Sequence, residues 1–183
     1  MMLLFNGDSW THGANLEDRD ERFACVLSKR WKEDFIDLSE PGCSNRKIYR
    51  KTIQQDLTDI SLGIIQMTYK NRTEYFLDGK WENINPGRGH GRRFLDYYRD
   101  YYSEEFGESD ELLFRQAIID HFAANNTELL LLTNSKDSKY GYDVHINTPD
   151  IPLGATKHPD RVGHRIIAHR IYETLNQIDK VPL

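Results

Sequence analysis

Short apolar segments alternate with amphipathic ones along this 183-residue chain, and this alternation limits the possible folds more than any other feature. Turn-forming residues bound four apolar runs, at 2–5, 35–38, 64–67 and 129–132. A short, mainly apolar run is typical of a strand buried on both faces. Such strands occur mainly in parallel sheets that carry helices on both sides, so the four runs predict a parallel sheet.

Helical periodicity fills the segments between and after these runs. Apolar residues recur at helical spacing at Phe23, Val26, Leu27 and Trp31, at Tyr49, Ile53 and Leu57, at Phe114, Ala117, Ile118 and Phe122, and at Val162, Ile166, Ile167, Ile171 and Leu175. Ahead of the last stripe, Pro159 suits the first position of a helix. Strands that alternate with helices predict an α/β fold, a three-layer α/β/α sandwich around a central parallel sheet with right-handed crossovers.

The length suits one domain, and no repeat, low-complexity tract or linker divides the chain. We therefore expect a single domain over 1–183. The stretch at about 77–110 breaks the alternation with Gly- and Pro-rich turns and with tyrosine pairs at 97–98 and 101–102, which indicates an insertion over the sheet edge. Its tyrosines can pack as a short helix, line a substrate cleft or form a dimer contact, and packing is the commonest of these roles.

The formal net charge of −5 argues against nucleic acid and membranes as partners, because sequence-independent binding to both depends on excess Lys and Arg. The Gly- and Arg-rich stretch at 87–93 matches neither a phosphate loop nor a dinucleotide fingerprint, and we interpret it as a basic loop or lid over an anionic or sugar substrate. With no signal peptide and only two cysteines, we expect a cytoplasmic protein, or one in the virion or host cytoplasm if the source is viral.

A polar motif directly follows the first predicted strand. Residues 5–13 read Phe-Asn-Gly-Asp-Ser-Trp-Thr-His-Gly. Open α/β sheets bind ligands at the carboxyl ends of their strands, so Ser9 stands where a nucleophile can act. A serine after Gly-Asp can equally be a turn or helix-cap residue, and this motif alone leaves both interpretations open.

Two further segments stand at corresponding places in the predicted fold. Residues 38–45, which contain Gly42 and Asn45, follow the second predicted strand, and 157–165 read Lys-His-Pro-Asp-Arg-Val-Gly-His-Arg at the start of the last predicted helix. Gly42 can simply form the turn, and Asn45 can cap the next helix. An isolated histidine is also more often structural than catalytic.

In combination, the three segments resemble the SGNH (GDSL-like) hydrolase superfamily, and the resemblance spans 5–175. Its members carry Gly-Asp-Ser after the first strand, a glycine after the second, and a histidine before the last helix that is often followed by Pro and then Gly-His. The resemblance implies the flavodoxin-like SGNH hydrolase fold, with Ser9 as nucleophile, His158 as general base and the Gly42 N–H as an oxyanion donor. His164 is interpreted as a helix residue that packs near the site.

We expect no metal or other cofactor. His158, His164 and His169 lack the i, i+4 spacing of a helical zinc pair, and no Cys-x-x-Cys motif accompanies them.

Two positions depart from the superfamily pattern. Thr68 stands where the superfamily has an oxyanion-binding Asn, so we expect either its hydroxyl or Asn45 to act as the donor. Ala155 stands three residues before His158, where the superfamily usually has an orienting carboxylate. The catalytic unit is then a Ser9–His158 dyad held by a backbone carbonyl, or it borrows Asp143 or Asp150 from the preceding loop.

The resemblance therefore predicts a serine esterase or deacylase that removes a small acyl group, with an acetylated carbohydrate as the favoured substrate. Since Thr68 and Ala155 weaken the pattern, the alternative is a catalytically decayed binding or virion-associated module on the same fold. The segment 68–74 is similar to a phage and marine-bacterial branch of the superfamily. The oligomeric state does not follow from the sequence.

Overall fold

Five parallel strands form the central sheet of the computed structural model, which describes residues 2–86, 92–136, 138 and 140–178. The strands are β1 (Met2–Asn6), β2 (Asp34–Asp37), β3 (Ile60–Met67), β4 (Thr73–Leu77), β5 (Lys80–Ile84), β6 (Glu128–Thr133) and β7 (Val144–His145). The helices are α1 (Ser9–His12), α2 (Phe23–Trp31), α3 (Asn45–Ile53), α4 (Arg92–Asp100), α5 (Glu104–Ala124) and α6 (Arg161–Ile178). The sheet order is β2-β1-β3-β6-β7, which is the flavodoxin-like order of a doubly wound sheet.

The core consists of two apolar layers, one on each face of this sheet. On β1, Leu3 and Phe5 belong to the layer that packs against α2 and α6, whereas Leu4 belongs to the layer that packs against α3 and α5. This division follows from the two-residue period of a strand, which sends successive side chains to opposite faces. The predicted three-layer α/β/α sandwich with a central parallel sheet is confirmed.

Close packing at the centre of the sheet requires a glycine on β3. A Cβ atom at Gly63 would overlap the ring of Phe122, which is fully buried on α5. The glycine therefore lets the longest helix approach the middle strand more closely than any side chain would allow.

Two predicted helix limits differ from the structure. The last helix begins at Arg161, because Asp160 caps it by accepting a hydrogen bond from the Gly163 N–H at 2.8 Å. Pro159 thus precedes the helix and instead bridges Leu153 in an antiparallel contact. The predicted stripe that ended at Leu57 also exceeds its helix, since α3 ends at Ile53 and Leu57 is buried beyond it.

A hairpin and a helix occupy part of the predicted insertion. Strands β4 and β5 pair antiparallel in a sheet of their own, and α4 follows. The Tyr98 hydroxyl on α4 donates to the Asn71 carbonyl at 2.6 Å, which ties the helix to the start of the hairpin. The basic stretch predicted at 87–93 lies outside the described residues, apart from the backbone of 92–93.

None of the helices in the described part of the chain is long and apolar enough to span a membrane.

Candidate active site

Ser9 is the first residue of the short helix α1, immediately beyond β1. Asp8 caps this helix by accepting a hydrogen bond from the Trp10 N–H at 2.9 Å, so Ser9 is not the cap residue. A Cβ at Gly7 would overlap the hydroxyl of Thr11, so the turn from strand to helix needs a glycine there. This sharp turn leaves the Ser9 hydroxyl at the carboxyl edge of the sheet.

The structure brings Ser9 and His158 together. The Ser9 Oγ and the His158 Nε2 lie 2.9 Å apart, although the two residues are separated by almost the whole chain. At this distance the imidazole can accept the hydroxyl proton, which is the geometry that general-base catalysis requires.

His158 is held by a tight loop ahead of α6. Its carbonyl accepts a hydrogen bond from the Gly154 N–H at 2.8 Å, and the Asp160 N–H donates to the Pro152 carbonyl at 3.1 Å. A Cβ at Gly163 would overlap the Pro152 carbonyl, so the loop rests directly on the backbone of α6. The contacts of Pro152, Gly154 and Gly163 therefore fix the position of His158.

No carboxylate of the described residues contacts His158. Asp150 pairs with Arg170, and Asp143 accepts a hydrogen bond from the Leu131 N–H at 2.7 Å, so the predicted borrowing of either carboxylate is wrong. Instead, the His158 Nδ1 lies 3.0 Å from the side-chain amide nitrogen of Asn15. The hydroxyl of Thr156 is the second neighbour of Nδ1, at 3.2 Å.

Asp8 is the centre of a buried hydrogen-bond network beneath Ser9. Its side chain is fully buried, and it accepts hydrogen bonds from five donors among the described residues. In addition to the Trp10 N–H, these are Gln66 Nε2 at 2.8 Å, Thr68 Oγ1 at 2.8 Å, Arg72 Nη1 at 2.7 Å and Asn134 Nδ2 at 3.0 Å. Arg72 supplies the positive charge that a buried carboxylate needs.

Gln66, Arg72 and Asn134 were not predicted from the sequence as members of the site. Gln66 and Asn134 stand at or just after the carboxyl ends of β3 and β6, and the sheet order places those ends beside Asp8. Arg72 directly precedes β4 of the hairpin. Polar residues that close apolar runs, such as Asn134 after β6, are the signal that could have indicated them.

Thr68 does not direct its hydroxyl at Ser9. The Thr68 Oγ1 donates its single hydrogen to the Asp8 carboxylate and accepts a hydrogen bond from Arg72. The oxyanion role predicted for this hydroxyl is therefore wrong, because a threonine has only one hydrogen to donate.

Asn45 forms hydrogen bonds to the backbone directly after β3. Its amide donates to the Thr68 carbonyl at 3.0 Å, and its oxygen accepts from the Thr68 N–H at 2.7 Å. Ser44, rather than Asn45, caps α3 by accepting from the Lys47 N–H. Asn45 thus joins α3 to the end of β3, while its oxyanion role stays a prediction.

Gly42 lies in the loop that borders the turn between β1 and Ser9. The Glu40 N–H donates to the Gly7 carbonyl at 3.2 Å, which holds this loop against the turn, and Gly42 has a φ of 78°. A side chain would be strained at that φ, which explains a glycine there. Neither the Gly42 N–H nor the Ser9 N–H donates a hydrogen bond within the described residues, so both remain free for a substrate oxygen.

His164 is buried one helical turn into α6. Its Nδ1 accepts a hydrogen bond from the Phe23 N–H at 3.2 Å, and its ring stacks on that of Phe23. Burial lowers the pKa of His164 to about 4, so the ring is neutral near pH 7. It supports the packing of α2 on α6.

Open space adjoins the His158 side of this arrangement. A cavity of about 420 Å³ lies beside Asn15, Ala155, Thr156 and His158. A second cavity, of about 440 Å³, is lined by Tyr75, Ile84, Asp96, Tyr97 and Tyr101 between the hairpin and α4. Within the described ranges, no group of three or more His, Cys, Asp or Glu side chains is placed to hold a metal ion.

Solved structures that match this chain include esterases and a lipolytic protein, all of low sequence identity. A lipolytic protein of the G-D-S-L family from Desulfitobacterium hafniense matches with a TM-score of 0.60 and 11% identity, over 94% of this chain and 98% of that one. TesA matches with a TM-score of 0.62 and 14% identity, over 96% of this chain and 98% of that one. A two-domain esterase active on acetylated mannans matches at 0.59 and 15% identity, over 99% of this chain and 50% of that one.

At the level of sequence, no family model matches the chain, and no curated protein does. The structural matches cover nearly all of this chain, and their architecture agrees with the strand order and the placement of the helices. The chain therefore has the SGNH hydrolase fold.

Proposed function

We propose that this protein is a serine esterase or deacylase in which Ser9 is the nucleophile and His158 the general base. The observation that carries the proposal is the 2.9 Å contact between the Ser9 Oγ and the His158 Nε2. A buried network fixes the Ser9 turn, and a tight loop fixes His158, so the contact joins two rigid parts of the fold.

The reaction follows from these positions. The Ser9 Oγ attacks the ester carbonyl while the His158 Nε2 takes its proton, and the Ser9 and Gly42 N–H groups bind the resulting oxyanion. Collapse of the tetrahedral intermediate transfers that proton to the departing alcohol and leaves an acyl-Ser9 ester. Water, deprotonated by His158, then hydrolyses this ester, and the acid and the free Ser9 hydroxyl result.

An acetylated carbohydrate is the substrate class that we propose. Among the proteins of similar fold, one is an esterase active on acetylated mannans and another is an acetyl xylan esterase. The cavity beside His158 carries polar groups, such as Glu17 and Thr156, that can bind sugar hydroxyls.

The test is release of acetate from acetylated oligosaccharides and from p-nitrophenyl acetate, with the Ser9→Ala variant assayed in parallel. We expect turnover by the wild type and its loss in the variant. No turnover of either ester class by a folded wild type would contradict the proposal. Turnover of p-nitrophenyl acetate alone would support the esterase and reject the carbohydrate as substrate.

A second candidate is a binding module with a decayed site on the same fold. The observation that favours it is the lack of a carboxylate at the His158 Nδ1 among the described residues. Retained affinity for an oligosaccharide in a protein that hydrolyses no ester would favour this candidate.

A further inference from the structure

The imidazole of His158 needs a partner that selects its tautomer. For its Nε2 to accept the Ser9 proton, the ring hydrogen must reside on Nδ1, and a hydrogen-bond acceptor beside Nδ1 favours that tautomer. The described neighbours of Nδ1 are Asn15 at 3.0 Å and Thr156 at 3.2 Å.

Asn15 reaches this place from the turn that follows the nucleophile helix. The Ala14 N–H donates to the Ser9 carbonyl, and the Leu16 N–H donates to the Gly13 carbonyl. Asn15 itself has a φ of 73°, in the left-handed region that Asn tolerates better than most residues. These two backbone hydrogen bonds hold the turn that carries Asn15 close to the Ser9 helix.

Two contacts away from Ser9 hold this segment against the histidine loop. The Glu21 carboxylate pairs with Arg161 at 2.7 Å, and the Phe23 N–H donates to the His164 Nδ1 at 3.2 Å. Both connect the chain between α1 and the first residue of α2 to the first turn of α6. The contact of Asn15 with His158 is therefore supported by the packing of the chain after α1 against the start of α6.

The chemistry of the amide decides what Asn15 does there. A half-turn about the terminal bond of its side chain exchanges the nitrogen and oxygen, which have nearly the same shape. With the oxygen toward His158, the amide accepts the Nδ1 hydrogen and leaves the Nε2 lone pair for Ser9. With the nitrogen toward His158, the amide donates to Nδ1 and favours the unproductive tautomer.

We propose that Asn15 is the positioning residue that stands in for the absent carboxylate of the triad, with its amide oxygen accepting the His158 Nδ1–H and the Thr156 hydroxyl as a second acceptor. This inference rests on the proposed Ser9–His158 pair. When Nε2 takes the Ser9 proton, the Asn15 oxygen stabilises the resulting imidazolium, and the same proton later leaves with the alcohol. A neutral amide does so less strongly than a carboxylate.

The experiment compares Asn15→Gly and Asn15→Asp, because both residues tolerate the left-handed conformation and neither adds backbone strain. The matched controls are Asn126→Gly and Asn126→Asp, at an exposed asparagine with a φ of 51° between α5 and β6. Two readouts are taken. One is the imidazole ¹⁵N shifts of His158, assigned by their loss in His158→Gln, which report the tautomer. The other is the rate of labelling by a fluorophosphonate.

In Asn15→Gly we expect His158 to shift toward the Nε2–H tautomer and labelling to slow by about tenfold or more, because the orienting group is lost. In Asn15→Asp we expect the Nδ1–H tautomer and labelling at least as fast as in the wild type. Both Asn126 variants should match the wild type.

The inference would be overturned if Asn15→Gly kept the wild-type tautomer and labelling rate, or if Asn15→Asp behaved like Asn15→Gly. In either case, labelling of the wild type would leave the proposed function standing. Conversely, a tautomer that shifts in Asn15→Gly in a protein that never labels would support the positioning role and reject the proposed function.

Discussion

At the scale of single residues, Asp8 connects more of the site than Ser9 does. Its carboxylate receives donors from β3, from the residue after β6 and from Arg72, so it joins three strand ends under the nucleophile. A buried ion pair adds little stability when intact, but the removal of one charge leaves the other without compensation. Asp8 is therefore the residue on which the shape of the turn at Ser9 depends.

Replacement of Asp8 by Asn should lower the free energy of unfolding by about 3 kcal/mol, since Arg72 then lacks its counter-charge and the new amide group faces other donors. Urea denaturation measures the change. Asp150→Asn, which removes an exposed partner of Arg170, serves as the control and should leave stability near that of the wild type. Equal effects of the two substitutions would contradict the importance of the Asp8 network.

His164 should make stability depend on pH. Burial lowers its pKa to about 4, below the ordinary value of 6.5, so the unfolded chain takes up a proton first as the pH falls. The contribution of the neutral His164 ring to the free energy of unfolding is fully present above pH 6.5 and decreases as the pH falls toward 4. Between pH 7 and pH 5 the loss should be about 2 kcal/mol.

The measurement compares urea denaturation of the wild type and His164→Asn at those two pH values. The variant retains an oxygen acceptor for the Phe23 N–H but does not titrate. Between pH 7 and pH 5 its free energy of unfolding should therefore fall by about 2 kcal/mol less than that of the wild type. His169→Asn, an exposed change on the same helix, should keep the wild-type dependence. If His164→Asn kept the wild-type pH dependence, His164 would not be the source of the loss of stability at low pH.

At the scale of elements, the joint at which the loop of residues 152–160 packs on the first turn of α6 controls the position of His158. The joint depends on Gly163, where a Cβ would overlap the Pro152 carbonyl. The loop also returns on itself through the contact of Gly154 with the His158 carbonyl. A small displacement of this loop therefore changes the Ser9–His158 contact, and for the proposed reaction a misplacement by about 1 Å is costly.

Gly163→Ala should slow fluorophosphonate labelling of Ser9 by about a hundredfold, because the loop must move away from α6. Gly141→Ala is the matched control, since nothing lies within 4 Å of a Cβ at that position, and it should label normally. Gly63→Ala should lower stability through its overlap with Phe122 and leave labelling of the folded fraction unchanged. Normal labelling of Gly163→Ala would contradict the role of this joint.

At the scale of the whole molecule, the central strands were predictable from the sequence, whereas the peripheral elements were not. The strands β1, β3 and β6 are mainly apolar, and burial in the sheet accounts for that composition. The edge strand β2 is half-buried and has only Phe35 and Ile36 as apolar residues. The hairpin of β4 and β5 lacks this signal because large residues such as Phe76 and Trp81 are exposed on it.

The site was predictable to a similar extent. Ser9 and His158 stand beside elements that the sequence indicates, so their order along the chain suggested the pair that the structure brings together. The contacts of Asp8 with Gln66 and Asn134 depend on which strands are neighbours, and that of Asn15 with His158 depends on a left-handed turn. Neither the strand order nor the turn leaves a local pattern in the sequence.

The central claim is that His158 activates Ser9, and intact-mass measurement after incubation with a fluorophosphonate tests it without knowledge of the substrate. We expect one adduct on the wild type, none on Ser9→Ala and strongly slowed labelling of His158→Gln, with all three proteins folded by circular dichroism. A folded wild type without an adduct, or an adduct that persists in Ser9→Ala, would contradict the claim.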